Sequence, residues 1–439
     1  MGKNEHQSRS ELSIFGNDQE NNLEEVLEPA PECCIYRVPQ YLRKINEEAY
    51  TPKLISIGPL HYGRNELMGM ERQKTRLLSK FRDRVGAQKL EEFKTCIQNQ
   101  EQHIRSHYSV TSNLQSSKYV AMILRDAVSI IELFLRKYNN TKDFLLEVPL
   151  TIRITVDLLL LENQVPYCVL NYLYTIAFPE RNPPFSSLPH NFFSFIINIF
   201  DNRQLNISAD RQPQVKHFTD FLRCALVRNV QPALQSNRES ILDLPNATKL
   251  KGSGLKFRGI KEKCFLDISL VKREHGKWLS WYQVNEVQIP HIKIYDETEG
   301  IFRNIIALEM FHYSTQTYIT NYAVMMDYLI DTAKDVDLLV EKEIIVNCVG
   351  DNEAVAKMFN SLCSNVPATG SRYYDTVEKM KAHYKYPLNH LKATLKSVYF
   401  GNLWTGTATV AAALLLILTA IQTICSILQV NEIFKHNGN

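Results

Sequence analysis

The amino-acid sequence predicts a mostly α, α+β protein: a large helical body with a small antiparallel sheet and one C-terminal transmembrane helix. Three observations carry that expectation. Apolar residues recur at three- and four-residue spacing over most of the chain, as in helices that bury one face. Period-two alternation is clear in only two short places: Leu266, Ile268 and Leu270 with Asp267 and Ser269, and Ile292 and Ile294 with His291, Lys293 and Tyr295. From Ser397 to Asn431 there is no Asp, Glu, Lys, Arg or His, and Ala408 to Leu428 is almost wholly apolar.

In chain order, residues 1–32 set Lys3 and Arg9 against Glu5, Glu11, Asp18, Glu20, Glu24, Glu25, Glu28 and Glu32, with few apolar side chains. That composition predicts a disordered acidic tail. A helical domain then runs over 33–400, with its sheet around 264–295. It opens on a structured loop, 33–63, in which Pro39 starts a short helix carrying Tyr41, Leu42 and Ile45 inward, and Pro52, Gly58, Pro59 and Gly63 punctuate the rest. Leu67, Met70, Lys74, Leu77, Leu78, Phe81 and Val85 share one helix face; Leu90, Phe93, Ile97, Ile104 and Tyr108 share another. Val120–Tyr138 and Ile152–Phe178 are apolar nearly all round, with a break at Pro166, and are read as core helices. Further helices are expected over Asn191–Phe200, Glu299–Phe311, Tyr322–Leu339, Asp351–Leu362, Arg372–Ala382 and Leu388–Val398. Irregular surface loops are expected at Arg181–His190 and Ser236–Gly254.

The apolar run closes the chain. About 21 residues at about 1.5 Å each span about 30 Å, the thickness of a bilayer's hydrocarbon. The competing reading is a buried helix of a soluble core. Flanking Lys392, Lys396, Glu432 and Lys435, and Trp404 at the interfacial position, favour a membrane anchor over 404–430 with a short tail at 431–439. Lys385, Lys392 and Lys396 outnumber Lys435, which places the body on the cytosolic side. No apolar run follows the N-terminus as in a signal peptide, and His6 stands where myristoylation needs Ser or Thr. The anchor is therefore expected to be the address as well, with the plasma membrane favoured. Gln422 inside the span would seek a partner on another helix, which makes a homo-oligomer through this helix an expectation.

Composition excludes some classes. At 45% hydrophobic and 22% charged the chain is ordinary for a globular body, and a net charge of +3 without a basic, aromatic-laced stripe gives no expectation of nucleic acid. Nine scattered cysteines without a CxxC pair suit reduced thiols. Sequons at Asn139, Asn206 and Asn246 would matter only in the reverse topology.

A search for chemistry returns little. There is no P-loop and no GxSxG elbow, and Gly252-Ser253-Gly254 lacks a third glycine at dinucleotide spacing. His103 and His107 could share a helix face but lack the glutamate and third ligand of a zinc site. Glu309 and His312 have the spacing of a di-metal bundle pair, without the second pair such a site needs. Cys33 and Cys34 with His61 could form a thiol site, and Asp126, Glu132, Asp157 and Glu162 could be acids raised by burial. The plainer reading is that the thiols are core and the carboxylates cap or bridge segments. No catalytic residue, metal or cofactor is assigned.

Three stretches together are specific: ECCIYRVPQYLRKINEEAYTPKLISIGPLHYG followed by MERQK, then LLLENQVPYCVLNYLY, then FRNIIALEMFHY, ahead of a terminal apolar helix. In this the chain resembles the plant "domain of unknown function 247" family. The resemblance implies a plant membrane protein without known biochemistry, some of whose grass members are linked to pollen-side self-incompatibility. It singles out Arg37, Pro39, Tyr50, Pro52, Ser56, Gly58, Pro59, His61, Glu162, Asn163, Gln164, Pro166, Phe302, Arg303 and Asn304, as a partner-binding site or as positions that fix loops and helix ends. The expectation is a membrane-anchored, non-enzymatic component of recognition or signalling, with the bilayer and an unidentified protein as partners; the alternative is an enzyme of unfamiliar type that uses the buried carboxylates or the Cys/His group.

Overall fold

The structure is a computed structural model that describes residues 30–180, 182–200, 214–228, 230, 239–261, 263–275, 279–399 and 403–436. Nearly all of the acidic tail, Arg181, Asn206 and residues 236–238 lie outside the described residues.

The described chain is mainly helical. The first half contains α1 (Gln40–Arg43), α2 (Met68–Val85), α3 (Ala87–Asn99), α4 (Glu101–Ser106), α5 (Ser116–Tyr138), α6 (Val148–Leu158), α7 (Tyr167–Ala177), α8 (Ser187–Phe192) and α9 (Ser194–Phe200). Next come α10 (Phe218–Val227) and α11 (Ala247–Gly252), then β1 (Lys256–Ile260), β2 (Ser269–His275), β3 (Leu279–Pro290) and β4 (Ile292–Ile294). The rest is α12 (Thr298–His312), α13 (Tyr318–Leu329), α14 (Ala333–Glu341), β5 (Ile345–Asn347), α15 (Asn352–Leu362), α16 (Tyr374–Lys385), α17 (Pro387–Tyr399) and α18 (Leu403–His436).

α5 is the hub of the first half. Its residues from Tyr119 to Leu135 are buried with few exceptions, and it packs on α2, α3, α7 and α8. An aromatic group of Phe134, Phe192, Phe193 and Phe218 joins it to α8 and α10, with ring centroids 4.5–5.7 Å apart. In the second half α12 packs on α10, α13 and α15. One apolar core runs through both halves, and a smaller cluster of Val38, Leu42, Ala49, Tyr50, Leu161, Ala307 and Leu308 joins three distant stretches of chain.

Several elements differ from expectation, for local reasons. The helix expected through Leu90–Tyr108 breaks at Gln100 into α3 and α4. The one expected over Tyr322–Leu339 breaks before Thr332, where a capping box between Thr332 and Asp335 starts α14 afresh. Phe193 separates α8 from α9. Within the expected loop Ser236–Gly254, the Asn246 side chain accepts from Lys249 N–H at 3.1 Å and caps α11. On α1, Tyr41 is exposed and Arg43 is buried in its place.

The described strands form two small sheets, β1-β3-β2 and β4-β5, and only one of their pairings is antiparallel. β2 pairs antiparallel with β3, while β1 pairs parallel with β3 and β4 parallel with β5. Leu266 and Ile268 are buried but precede β2, which begins at Ser269. α18 contains the apolar run; Thr407–Gln429 is long and apolar enough to cross a membrane, and the helix continues through His436 into the expected tail.

Candidate functional site

The three motif stretches lie far apart in sequence and meet in space. Helix α6 ends at Leu158 because side chains from the following loop take its last carbonyls: Asn163 Nδ2 donates to Asp157 O at 2.8 Å, and Gln164 Nε2 donates to Leu158 O at 2.7 Å and Leu160 O at 2.6 Å. The helical break is thus the whole loop 159–166, with Pro166 at its end as the N-cap residue of α7. That loop, with α5 and α6, holds the segment 33–63.

The holding is done by buried acceptors on backbone donors. Asp157 accepts from Lys53, Leu54 and Ile55 N–H at 3.0, 2.7 and 2.8 Å. Asn163 Oδ1 accepts from Ile57 N–H at 2.7 Å, and its amide donates to Ile55 O at 2.9 Å. Asp126 of α5 accepts from Gly58 N–H at 2.9 Å and from Lys74 Nζ at 2.6 Å. Lys74 is fully buried; it also donates to Ser56 O at 2.8 Å and pairs with Glu71, which in turn meets Arg125 at 2.7 Å. Opposite charges thereby balance around the buried ammonium. Burial pushes the carboxyls of Asp126 and Asp157 up, and Lys74 or the backbone donors pull them only part of the way back.

Glu162 ties the front of the same segment. Its Oε1 accepts from Val38 N–H at 2.6 Å and from Arg43 Nη2 at 2.5 Å, and its Oε2 lies 3.2 Å from His61 Nε2. Burial raises its carboxyl, but donation from His61, Arg43 and Val38 outweighs that and holds it below the usual range. The Arg43 guanidinium also lies over the ring of buried Tyr50, 5.9 Å from its centroid. The third motif closes the junction: Asn304 Oδ1 accepts from Leu161 N–H at 2.8 Å while its amide donates to Ala49 O at 2.7 Å. Arg303 Nε donates to Glu299 Oε1 at 2.8 Å, and Glu299 also accepts from Asn46 at 3.0 Å. Phe302 packs its ring between Phe200 and Tyr322. Of the remaining positions, Pro52 is buried, Pro39 and Pro59 are half-buried, and Arg37 is exposed, its N–H donating to Ser109 Oγ at 2.9 Å.

Gly58 shows how close the fit is. Its φ of +71° favours glycine, and a Cβ there would stand 2.3 Å from Gln164 O, which already accepts from the Tyr108 hydroxyl at 2.9 Å. Gly58→Ala is expected to lower stability by about 3 kcal/mol, from left-handed strain and overpacking together. A shift of the urea midpoint in detergent-solubilised full-length protein measures it; an unchanged midpoint would refute the close approach.

The other candidate groups are also engaged. Glu309 faces Arg223 at 3.0 Å and accepts from Thr320 N–H and Oγ1 at 2.8 Å, while His312 Nδ1 meets the Tyr36 hydroxyl at 3.1 Å, so the two do not converge. Glu132 is bracketed by Arg84 and Arg136. His103 and His107 stack edge to face, 4.8 Å between centroids. Among the described residues no group of three His, Cys, Asp or Glu side chains is placed to hold a metal. His61 faces Glu162 rather than a thiol, burial pushes the Cys33 thiol up to about 11, and Cys34, more deeply buried, is higher still. A cleft of about 350 Å³ opens at the edge of the junction, lined in part by Glu48, Lys53, Arg153, Glu297 and Glu299.

Sequence reasoning missed Arg43 and His217, the buried N-cap residue of α10 whose Nε2 lies 3.0 Å from Cys34 O, and read Lys74 only as part of a helix face. A lysine inside an otherwise apolar stripe was the available signal for Lys74; the other two had none.

Fold and junction together define a predominantly helical body, clasped by buried polar side chains from three motifs and followed by one apolar helix of membrane-spanning length. The chain belongs to the DUF247 family of plant proteins of unknown function, whose family model matches residues 35–418. Relatives include the UPF0481 protein At3g47200 of Arabidopsis thaliana, 29% identical over 93% of this chain and 89% of that protein. A putative UPF0481 protein of the same plant, At3g02645, is 22% identical over 92% and 91%. No solved structure matches the chain.

Proposed function

We propose that α18 anchors this protein in a membrane as a single span, with the body on the cytosolic side and the plasma membrane favoured, and that the body binds another protein in recognition or signalling without chemistry of its own. The observation that carries this reading is the junction. Asp126, Asp157, Glu162, Asn163, Gln164 and Asn304 are buried and engaged with backbone groups, and Asp126 and Glu162 also with Lys74 and Arg43, which suits a scaffold that fixes its loops. A thiol enzyme would need the opposite of the raised Cys33 and Cys34.

Partner contact is assigned to the exposed positions Asn182, Pro184, Glu239, Leu242 and Asp243 of the segments 182–186 and 239–245, whose Phe185, Ile241 and Leu244 are buried and hold the segments on the core. Recognition of this kind is what the resemblance implies for grass relatives in self-incompatibility. Gln422 offers α18 a polar handle for a second copy.

The test is proximity labelling from the full-length chain in plant cells beside a chain ending at residue 402. The full chain is expected to stay in the membrane fraction through an alkaline carbonate wash, labelling a reproducible set of proteins before the wash; the shortened chain should be released by the wash. Carbonate-resistant retention of the shortened chain would refute the single span, and labelling no different from a free membrane label would refute the partner.

A further inference from the structure

We propose that α17 is a second membrane-contact element, lying along an anionic lipid surface with its apolar face in the headgroup boundary and its lysines at the phosphates. This rests on the reading of α18 as an anchor.

Helix α17 has an apolar face that stays exposed among the described residues. Leu388, Leu391, Leu395 and Val398 are 48%, 54%, 43% and 55% exposed, and their spacing gathers them on one side. The body is met by the other side. Asn389 Nδ2 donates to His383 O at 2.9 Å, His390 meets Tyr384 edge to face with 4.9 Å between centroids, and the Ala393 methyl lies against Gly254. At 3.6 residues per turn these positions stand roughly 160° around the helix from the apolar stripe, so the stripe points directly away from the protein.

Connection and charge identify what covers it. Only residues 400–402 separate α17 from α18, a reach on the order of 10 Å, so the stripe cannot lie far from the bilayer that receives the span Thr407–Gln429. Within α17 the sequence has Lys392 and Lys396 and no Asp or Glu, and exposed Lys385 precedes it. An apolar helix face bordered along one edge by Lys392 and Lys396 and adjacent to a span fits the boundary of an anionic leaflet, where leucines enter the acyl edge and ammonium groups meet phosphate.

The test uses full-length protein in nanodiscs of phosphatidylserine and phosphatidylcholine. Trp278, Trp281 and Trp404 are replaced by Phe, and one tryptophan is returned as L391W, L415W or V148W; Val148 is 71% exposed and lies on α6. With bromines near the headgroup end of the acyl chains, L391W is expected to lose roughly half its emission. L415W should respond most to bromines near the chain ends, and V148W to neither. Adding K392E and K396E should reduce the quenching of L391W. The proposal falls if L391W keeps its emission while L415W is quenched, which is the result if a second copy covers the stripe. If L415W also keeps its emission, the anchor reading falls with it, so the two failures are distinguishable.

Discussion

Glu162→Ala is expected to lower the unfolding free energy by about 3–5 kcal/mol, the cost of leaving a buried charge without its partner. The carboxylate receives Arg43 at 2.5 Å, the Val38 N–H at 2.6 Å and His61 at 3.2 Å, and all four residues are buried. Its loss strands a guanidinium and a backbone donor that water cannot reach. Urea unfolding of the solubilised full-length protein measures the effect, and a loss below about 1 kcal/mol would sink the account. Replacing both partners, as Arg43→Met with Glu162→Leu, should cost less than Glu162→Ala alone, because no uncompensated charge remains. The pH dependence has a definite sign. The folded carboxyl is held below its ordinary value of about 4.3, so its contribution is complete above that pH and is lost as pH falls through the lower folded value. The gap between wild type and variant should therefore close in acid.

The second large effect belongs to His217, which bridges α10 to the first motif. Its Nε2 lies 3.0 Å from Cys34 O and its Nδ1 accepts from Asp220 N–H at 3.4 Å, so the neutral ring uses both nitrogens. Protonation would set a hydrogen on Nδ1 against another donor. Complete burial lowers its pKa to about 4, against the partial pull of Asp220 and the Cys34 carbonyl. The unfolded ring titrates near 6.5, so between about pH 6.5 and 4 the unfolded chain binds the extra proton and stability falls as pH falls. That span corresponds to about 3 kcal/mol lost on acidification, levelling off below pH 4. Unfolding midpoints of wild type and His217→Asn across this range measure it. The variant should be less stable at pH 7 and flatter below 6.5; parallel curves would show that His217 titrates normally. His107, His312 and His383, also lowered by burial, add in the same direction to both curves, so the difference isolates His217.

Much of the helical framework was legible because burial leaves periodicity in the residues that do it. Leu77, Phe81, Phe93 and Ile97 announced two helix faces, and each is buried. What periodicity could not report was where a helix stops for a polar reason. Gln164 and Asn163 end α6 by reaching back to its carbonyls, and Thr332 with Asp335 begins α14 inside an apolar stretch that otherwise reads as continuous. Strand pairing escaped for a similar reason: alternation marks a strand's two faces but not its partner's direction, and β5 is three residues of which only Ile345 is fully buried.

The sequence alone determined the apolar terminal helix, its uncharged length and its lysine-rich approach, because a span depends on composition over consecutive residues and needs no partner to be recognised. It also marked the three motif stretches as special. Only the tertiary structure decided what those motifs touch: Asp157 gathers donors from Lys53 to Ile55, Glu162 reaches Val38, and Asn304 joins Leu161 to Ala49. Buried hydrogen bonds across a hundred or more residues of chain follow no local period, so they are fixed by packing that brings donor and acceptor together where water is excluded. The outward face of α17 was decided in the same way, since a leucine stripe has no direction until the body has taken the other side of the helix.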